Sequence, residues 1–273
     1  MMFEAVYVIS LDRSMERMAD MDRLLPMLGF DSYRRWPAID GDQLGADAVA
    51  AYQAEGSLAS DFVSLRRASR GREIGCALSH VLVLRDILAQ GHASALILED
   101  DLAISGPIND WRERCASAFA DLPEGWELWY LFRCLDVQSR VQRITARTVV
   151  PWAPMGCAAY AVTRAGAEKL LAAVTPLDRP IDASIVAKAV RSGKVAAFAA
   201  SPRLLAPGLH ASIIRGETGG DFWTTDGVNR PPEFRPERDL VYGNRGGIEG
   251  RRPGDSAAGP ASIVRNLARR LRR

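Results

Sequence analysis

Three adjacent carboxylates, Glu99, Asp100 and Asp101, directly follow the apolar run Ala95-Leu96-Ile97-Leu98. Like charges crowded at a strand end repel one another and cost stability unless a cation or solvent offsets them. A hard divalent cation, Mn2+ or Mg2+, held by one or two carboxylates and completed by substrate phosphates, is one solution. A solvated acidic loop is the other. Acids at the C-terminal end of a buried strand also point into the crevice where open α/β sheets bind their ligands.

Arg13 and Arg17 stand four residues apart just after the first apolar run, a spacing that puts both on one face of a helix. Guanidinium forks suit phosphate oxygens, and a helix N-terminus adds N–H groups and a favourable dipole. A surface pair bridging to Glu16 or Asp20 is the alternative. Asp40-Gly41 either accepts from a ribose or base or is a plain turn. His80, on an apolar helical face, reads as a packed, hydrogen-bonded histidine.

The elements that position these residues follow from periodicity. Ala5-Val6-Tyr7-Val8-Ile9 is short, continuously apolar and rich in β-branched residues, as in a strand buried on both faces. Ser10, Asp12 and Ser14 offer N-caps for a helix to about Leu28, with Gly29 its stop. A polar strand is expected over 32–36, a short helix within 44–59, and the best helix over 73–90, where Ile74, Ala77, Leu78, Val81, Leu84 and Leu88 keep the helical spacing before Gly91. Strands over 95–98, 127–132, 156–162 and 195–199 alternate with helices over 111–120, from Thr163 to about Val174, and from Pro180 to Gly193. Five or six strands alternating with helices predict an α/β layered sheet.

Composition excludes the extremes. The 273 residues are 48% hydrophobic and 25% charged, which rules out disorder, collagen and pure coiled coil. The net charge of +2 is too small for nucleic-acid binding by charge alone. It hides an asymmetry: residues 251–273 hold seven arginines and one acid, for +6, leaving −4 for the rest. Cys76, Cys115, Cys134 and Cys157 contain no CxxC pair, so neither a zinc knuckle nor a disulfide framework is suggested and a reducing compartment is expected. Glu4 precedes the first apolar run and Asp12-Arg13 stop it, unlike a signal peptide. No stretch reaches the roughly 18–20 apolar residues of a membrane span, so a soluble, cytoplasmic body is expected.

The order of the pieces resembles a family. Val8-Ile9-Ser10-Leu11-Asp12-Arg13 with Glu16-Arg17, Ala38-Ile39-Asp40-Gly41, Gly71-Arg72-Glu73-Ile74-Gly75-Cys76-Ala77-Leu78-Ser79-His80, and Ile97-Leu98-Glu99-Asp100-Asp101 are similar to successive signatures of glycosyltransferase family 25. Gly156-Cys157-Ala158-Ala159-Tyr160, Thr163-Arg164-Ala165-Gly166-Ala167 and Pro180-Ile181-Asp182 resemble its second half. The likeness runs over about 3–205, and GxxGCxxSH together with LEDD is its most specific part.

What the resemblance implies is a GT-A-like nucleotide-sugar-binding fold around a mostly parallel central sheet. It implies an inverting, metal-dependent transfer of a hexose, galactose from UDP-galactose being usual, to a lipopolysaccharide or lipooligosaccharide sugar. The acid cluster corresponds to a DxD-like metal site, with Asp101 and Asp100 as ligands of Mn2+ or Mg2+ and a late histidine, His210, as a further candidate. Ser10, Leu11, Arg13, Arg17, Ala38, Asp40, Gly41, Ser79, His80 and Asp100 are the candidate donor contacts. Inversion needs a carboxylate to take the acceptor's proton; Asp182 is the candidate base, and Glu99 is the second candidate catalytic residue. A UDP-glucose or other UDP-hexose transferase and a non-catalytic nucleotide-sugar-binding protein are the alternatives.

The expected organisation is a catalytic domain over 1–215, a Gly/Pro/Arg-rich linker over 216–260 and a basic amphipathic tail over 261–273. In the tail Ile263, Val264, Leu267 and Leu271 oppose the arginines. Such a helix suits the anionic inner face of the cytoplasmic membrane; a solubilising tail or a helix packed on the body is the alternative.

Overall fold

The computed structural model describes residues 2–208, apart from Arg66 and Leu135, together with Ile213. His210, the linker over 216–260 and the amphipathic tail over 261–273 lie outside the described residues, as does the end of the expected catalytic domain.

The first unit is β1 (Ala5–Ser10), α1 (Met15–Leu28) and β2 (Arg34–Pro37), followed by α2 (Ala46–Ala54) and the long α3 (Arg70–Gln90). Then come β3 (Ser94–Glu99), β4 (Leu102–Ile104), α4 (Trp111–Ala120), β5 (Leu128–Tyr130), β6 (Gln142–Arg143), β7 (Thr148–Val150) and β8 (Ala159–Thr163). The last elements are α5 (Arg164–Val174), α6 (Ile181–Ile185), β9 (Ala197–Ala200) and β10 (Leu205–Pro207). The helix expected from Pro180 to Gly193 is instead a short α6 that widens into a π-helical stretch, Val186–Val190.

Eight strands form one sheet in the order β2-β1-β3-β8-β5-β9-β7-β6, and β10 pairs with β4 in a separate antiparallel ribbon. β2, β1 and β3 run parallel, as do β5 and β9. β8 runs antiparallel between β3 and β5, and β7 antiparallel to β9 and β6. Six of the eight strands therefore share one direction, and the sheet is mixed, with a parallel majority.

Strand alternation separates two cores. Tyr7, Ile9 and Ile97 face α3, α5 and α6, whose Leu78, Leu170 and Ile185 complete one layer. Val6, Val8, Leu96 and Leu98 face α1 and α4, whose Met21, Leu25 and Trp111 complete the other. Both faces of β1 and β3 are covered, which is why their sequences are continuously apolar. Truncating one of these fully buried leucines to alanine would cost about 2–5 kcal/mol.

Helix ends follow local chemistry. α3 stops at Gly91, whose φ of +78 is the left-handed C-cap conformation that favours glycine. Thr163 caps α5, its side-chain oxygen accepting from the Gly166 N–H at 3.1 Å.

Candidate functional site

The C-terminal ends of β1 and β3 open onto a cleft. Its lining brings together Ser10, Leu11, Arg17, Ala38, Asp40, Gly41, Ser79, His80, Glu99, Asp100 and Asp101. These expected site residues come from four stretches that lie far apart along the chain. Ile9, Ile39, Arg72, Cys76 and Ile213 complete the wall. Asp182 is not among the lining residues: it stands in the opening turn of α6, where its Oδ1 accepts from the Ala183 N–H at 2.7 Å.

The three acids occupy three environments. Asp100 is 5% exposed, and both its oxygens are taken: Ser10 Oγ donates to Oδ2 at 2.6 Å and Arg17 Nη1 to Oδ1 at 2.8 Å. This carboxylate ties the ends of β1 and β3 to α1. Asp101 keeps a longer ion pair, Oδ2 to Arg17 Nη1 at 3.6 Å. Burial first, then the Glu99 charge, push its carboxyl up to about 7, against the opposing pull of Arg17. Glu99 turns its Oε1 to His80 Nε2 at 3.2 Å.

His80 is fully buried and bridges two partners, with Nδ1 3.0 Å from the Tyr160 hydroxyl. A carboxylate can only accept, so the Glu99 contact puts the proton on Nε2, and Nδ1 accepts from the Tyr160 O–H. Cys76 lies one turn before His80 on α3, and its Sγ, His80 and a Glu99 oxygen lie within 4.8 Å of one another. Burial, followed by the Glu99 and Asp182 charges, holds the Cys76 thiol well above its usual range.

The opposite wall rests on glycines. A Cβ at Gly41 would fall 2.1 Å from the Gly71 carbonyl oxygen, and one at Gly75 would fall 2.5 Å from the Ile39 carbonyl oxygen. No side chain fits between, so the stretch 37–41 lies main chain against main chain on the first turns of α3. Ser79 stitches the contact: its Oγ accepts from the Ile39 N–H at 2.9 Å and donates to the Gly75 carbonyl at 2.7 Å. The glycines and serine of the motif 71–80 thus shape the wall.

Arg13 does not share a helical face with Arg17, because α1 begins at Met15. Arg13 lies in the preceding turn and forms an ion pair with Asp40 and another with Asp42 at 3.3 Å. Arg72 also binds Asp42, at 2.6 Å, and donates to the Ile213 carbonyl at 3.2 Å. Arg72 and Cys76 join the cleft from the motif 71–80, and Tyr160 reaches His80 from β8. Sequence motifs alone assign none of the three a role, although the four-residue step from Cys76 to His80 on a helix is a signal for one.

This is an α/β protein with an acid- and arginine-lined cleft at the C-terminal ends of parallel strands. Residues 3–185 match the family described as glycosyltransferase family 25 (LPS biosynthesis protein), and the chain belongs to that family. It is 32% identical over 193 residues to the human protein named inactive glycosyltransferase 25 family member 3, covering 66% of this chain and 31% of that one. It is 29% identical over 188 residues to the Aedes aegypti protein named glycosyltransferase 25 family member, covering 65% of this chain and 29% of that one. The chain spans about a third of the length of these relatives. A solved structure, mannose-1-phosphate geranyltransferase from Thermus thermophilus, aligns at a TM-score of 0.35 and 12% identity over 72% of each chain, too remote to support an inference. Among the described residues no helix is long and apolar enough to cross a membrane.

Proposed function

We propose that this chain transfers a hexose, galactose from UDP-galactose, to a hydroxyl of a lipopolysaccharide or lipooligosaccharide sugar with inversion at the anomeric carbon. The observation that carries this reading is the convergence of Arg17, Asp40, His80, Glu99, Asp100 and Asp101 on one cleft, in a member of a glycosyltransferase family.

The wall built from Ala38, Ile39, Asp40 and Gly41 would hold the uridine side of the donor, with Asp40 as an acceptor for hydroxyl or base N–H groups. Arg17 and Arg72 line the cleft and Arg13 is ion-paired with Asp40 at its wall, so these three cations would meet the diphosphate. Ser10 and Asp100 keep Arg17 aimed, so its charge is pre-organised. Mn2+ or Mg2+ fits this donor set in part: Asp100 has both oxygens engaged, whereas Glu99 and Asp101 can turn oxygens toward the cleft. When bound, a divalent cation would stabilise charge on the departing diphosphate. Inversion also requires a proton acceptor, a role we assign to Asp182 at the opening turn of α6. The arginine-rich C-terminal segment would hold the protein on an anionic inner-leaflet surface, close to a lipid-linked acceptor.

The test is UDP release by the purified protein from UDP-galactose, UDP-glucose and other UDP-hexoses, with and without Mn2+ and an oligosaccharide acceptor. Turnover that needs the acceptor and drops at least about a hundredfold in Asp182→Asn would support the reading; acceptor-independent or absent turnover with every donor would sink it. A second reading, a nucleotide-sugar-binding module without turnover, is favoured by the name of the human relative, which is called inactive. A donor-induced rise in melting temperature without UDP release would select it.

A further inference from the structure

We propose that Cys76, His80 and Glu99 form a site for a borderline-soft divalent cation of the zinc class, open on its remaining side to the cleft. This deepens the cation part of the proposed function, moving it from a hard ion on the acid pair to a mixed sulfur, nitrogen and oxygen set. Binding itself can be measured without donor or turnover.

Spacing makes the site. Cys76 and His80 are four apart on α3, so their side chains share one helical face, and Glu99 ends the adjoining β3. The three ligand atoms lie within 4.8 Å of one another. The His80 Nε2 to Glu99 Oε1 distance of 3.2 Å is close to the edge of about 3.3 Å expected between nitrogen and oxygen ligands around tetrahedral zinc. A thiolate, an imidazole and a carboxylate together suit zinc, whereas magnesium and manganese prefer all-oxygen shells.

The surroundings supply the outer shell. A metal-bound histidine usually donates its other ring N–H to a fixed partner, and the Tyr160 hydroxyl lies 3.0 Å from His80 Nδ1. A phenol can donate or accept, so it serves both the empty site, where Nδ1 accepts, and the loaded one, where Nδ1–H donates. All three ligands line the cleft. Three protein ligands and one open position is the arrangement of a zinc site that meets substrate rather than one that only staples a fold. The acid beside it, Asp100, is already committed to Ser10 and Arg17.

The full chain, stripped by chelator, would be titrated with Zn2+ by calorimetry and with Co2+ by absorption. One equivalent should bind, and Co2+ should show a tetrahedral visible band with a thiolate charge-transfer band. Cys76→Ser should lose the charge-transfer band and weaken Zn2+ binding at least about tenfold, and Tyr160→Phe should weaken it about 10–100-fold. Cys157→Ser, at the neighbouring buried thiol, should keep the band. Should Cys76→Ser fail to fold, N-ethylmaleimide labelling of the wild-type chain, mapped by mass spectrometry, decides: Zn2+ should slow labelling at Cys76. No stoichiometric binding, a Co2+ spectrum without the thiolate band, retention of that band in Cys76→Ser, or unprotected Cys76 would overturn the site. Absence of turnover with every donor would overturn the proposed function and leave these metal readings untouched.

Discussion

Arg17 Nη1 donates to Asp100 Oδ1 at 2.8 Å, joining the first helix to the end of the third strand. The two side chains keep only 10% and 7% of their surface in contact with solvent. Removing one partner of a buried pair leaves an uncompensated charge, which costs about 3–5 kcal/mol. Arg17→Ala is therefore expected to lose about that much in urea unfolding. The double variant Arg17→Met with Asp100→Leu should be less destabilised than Arg17→Ala, since replacing both charges by apolar groups removes the desolvation penalty.

Gly75→Ala should be more damaging than its size suggests. Its Cβ would meet the Ile39 carbonyl oxygen at 2.5 Å, main chain that no rotamer change can move aside. A loss of about 1–3 kcal/mol is expected, with weakened UDP binding as the stretch 37–41 shifts. Gly45→Ala, where a Cβ meets nothing within 4 Å, is the matched control and should leave nucleotide binding unchanged. Thermal melting with and without UDP reads both effects.

Asp101 gives a pH signature in the metal-free protein. Its carboxyl is held at about 7 in the fold against an ordinary 3.8. Between these values the unfolded chain has released a proton that the folded chain retains, so this group's contribution to stability falls as pH rises from about 4 to about 7. Asp101→Asn should thus melt higher than wild type at pH 8, and the difference should shrink toward zero near pH 4. A constant difference across that range would show that the carboxyl is not perturbed.

Thr163→Ala tests a feature remote from the cleft. Loss of the cap that accepts from Gly166 N–H should cost about 1 kcal/mol of stability. Zinc affinity and UDP binding should stay at wild-type values, measured by the same titrations.

The main elements were legible because their patterns are local. Continuous apolar runs mark β1 and β3, which are buried on both faces, and helical spacing with a terminal glycine marks α1 and α3. β4, β6, β7 and β10 are two or three residues long, too short to show a period, and exist through pairing with distant partners. The antiparallel course of β8 between β3 and β5 is likewise a property of long-range pairing.

At the site, residue types were legible and relationships were not. Glu99, Asp100 and Asp101 stand out as a cluster, yet their division of labour depends on Arg17, 83 positions away from Asp100, and on Ser10, 90 positions away. Arg13 and Arg17 looked like a helical pair because a four-residue step does not reveal where the helix begins. The Cys76–His80 step lay in plain view, but its third member, Glu99, comes from a different element.

The contact among Gly41, Gly71 and Gly75 has a mechanical consequence. Because the main chain of 37–41 is seated directly on α3, and α3 packs in turn against the sheet and α5, that side of the cleft behaves as an anvil. On the proposed function, any breathing that admits or releases a nucleotide would have to come from the facing side, and substitutions that stiffen that side should slow exchange while leaving the seating of 37–41 on α3 intact.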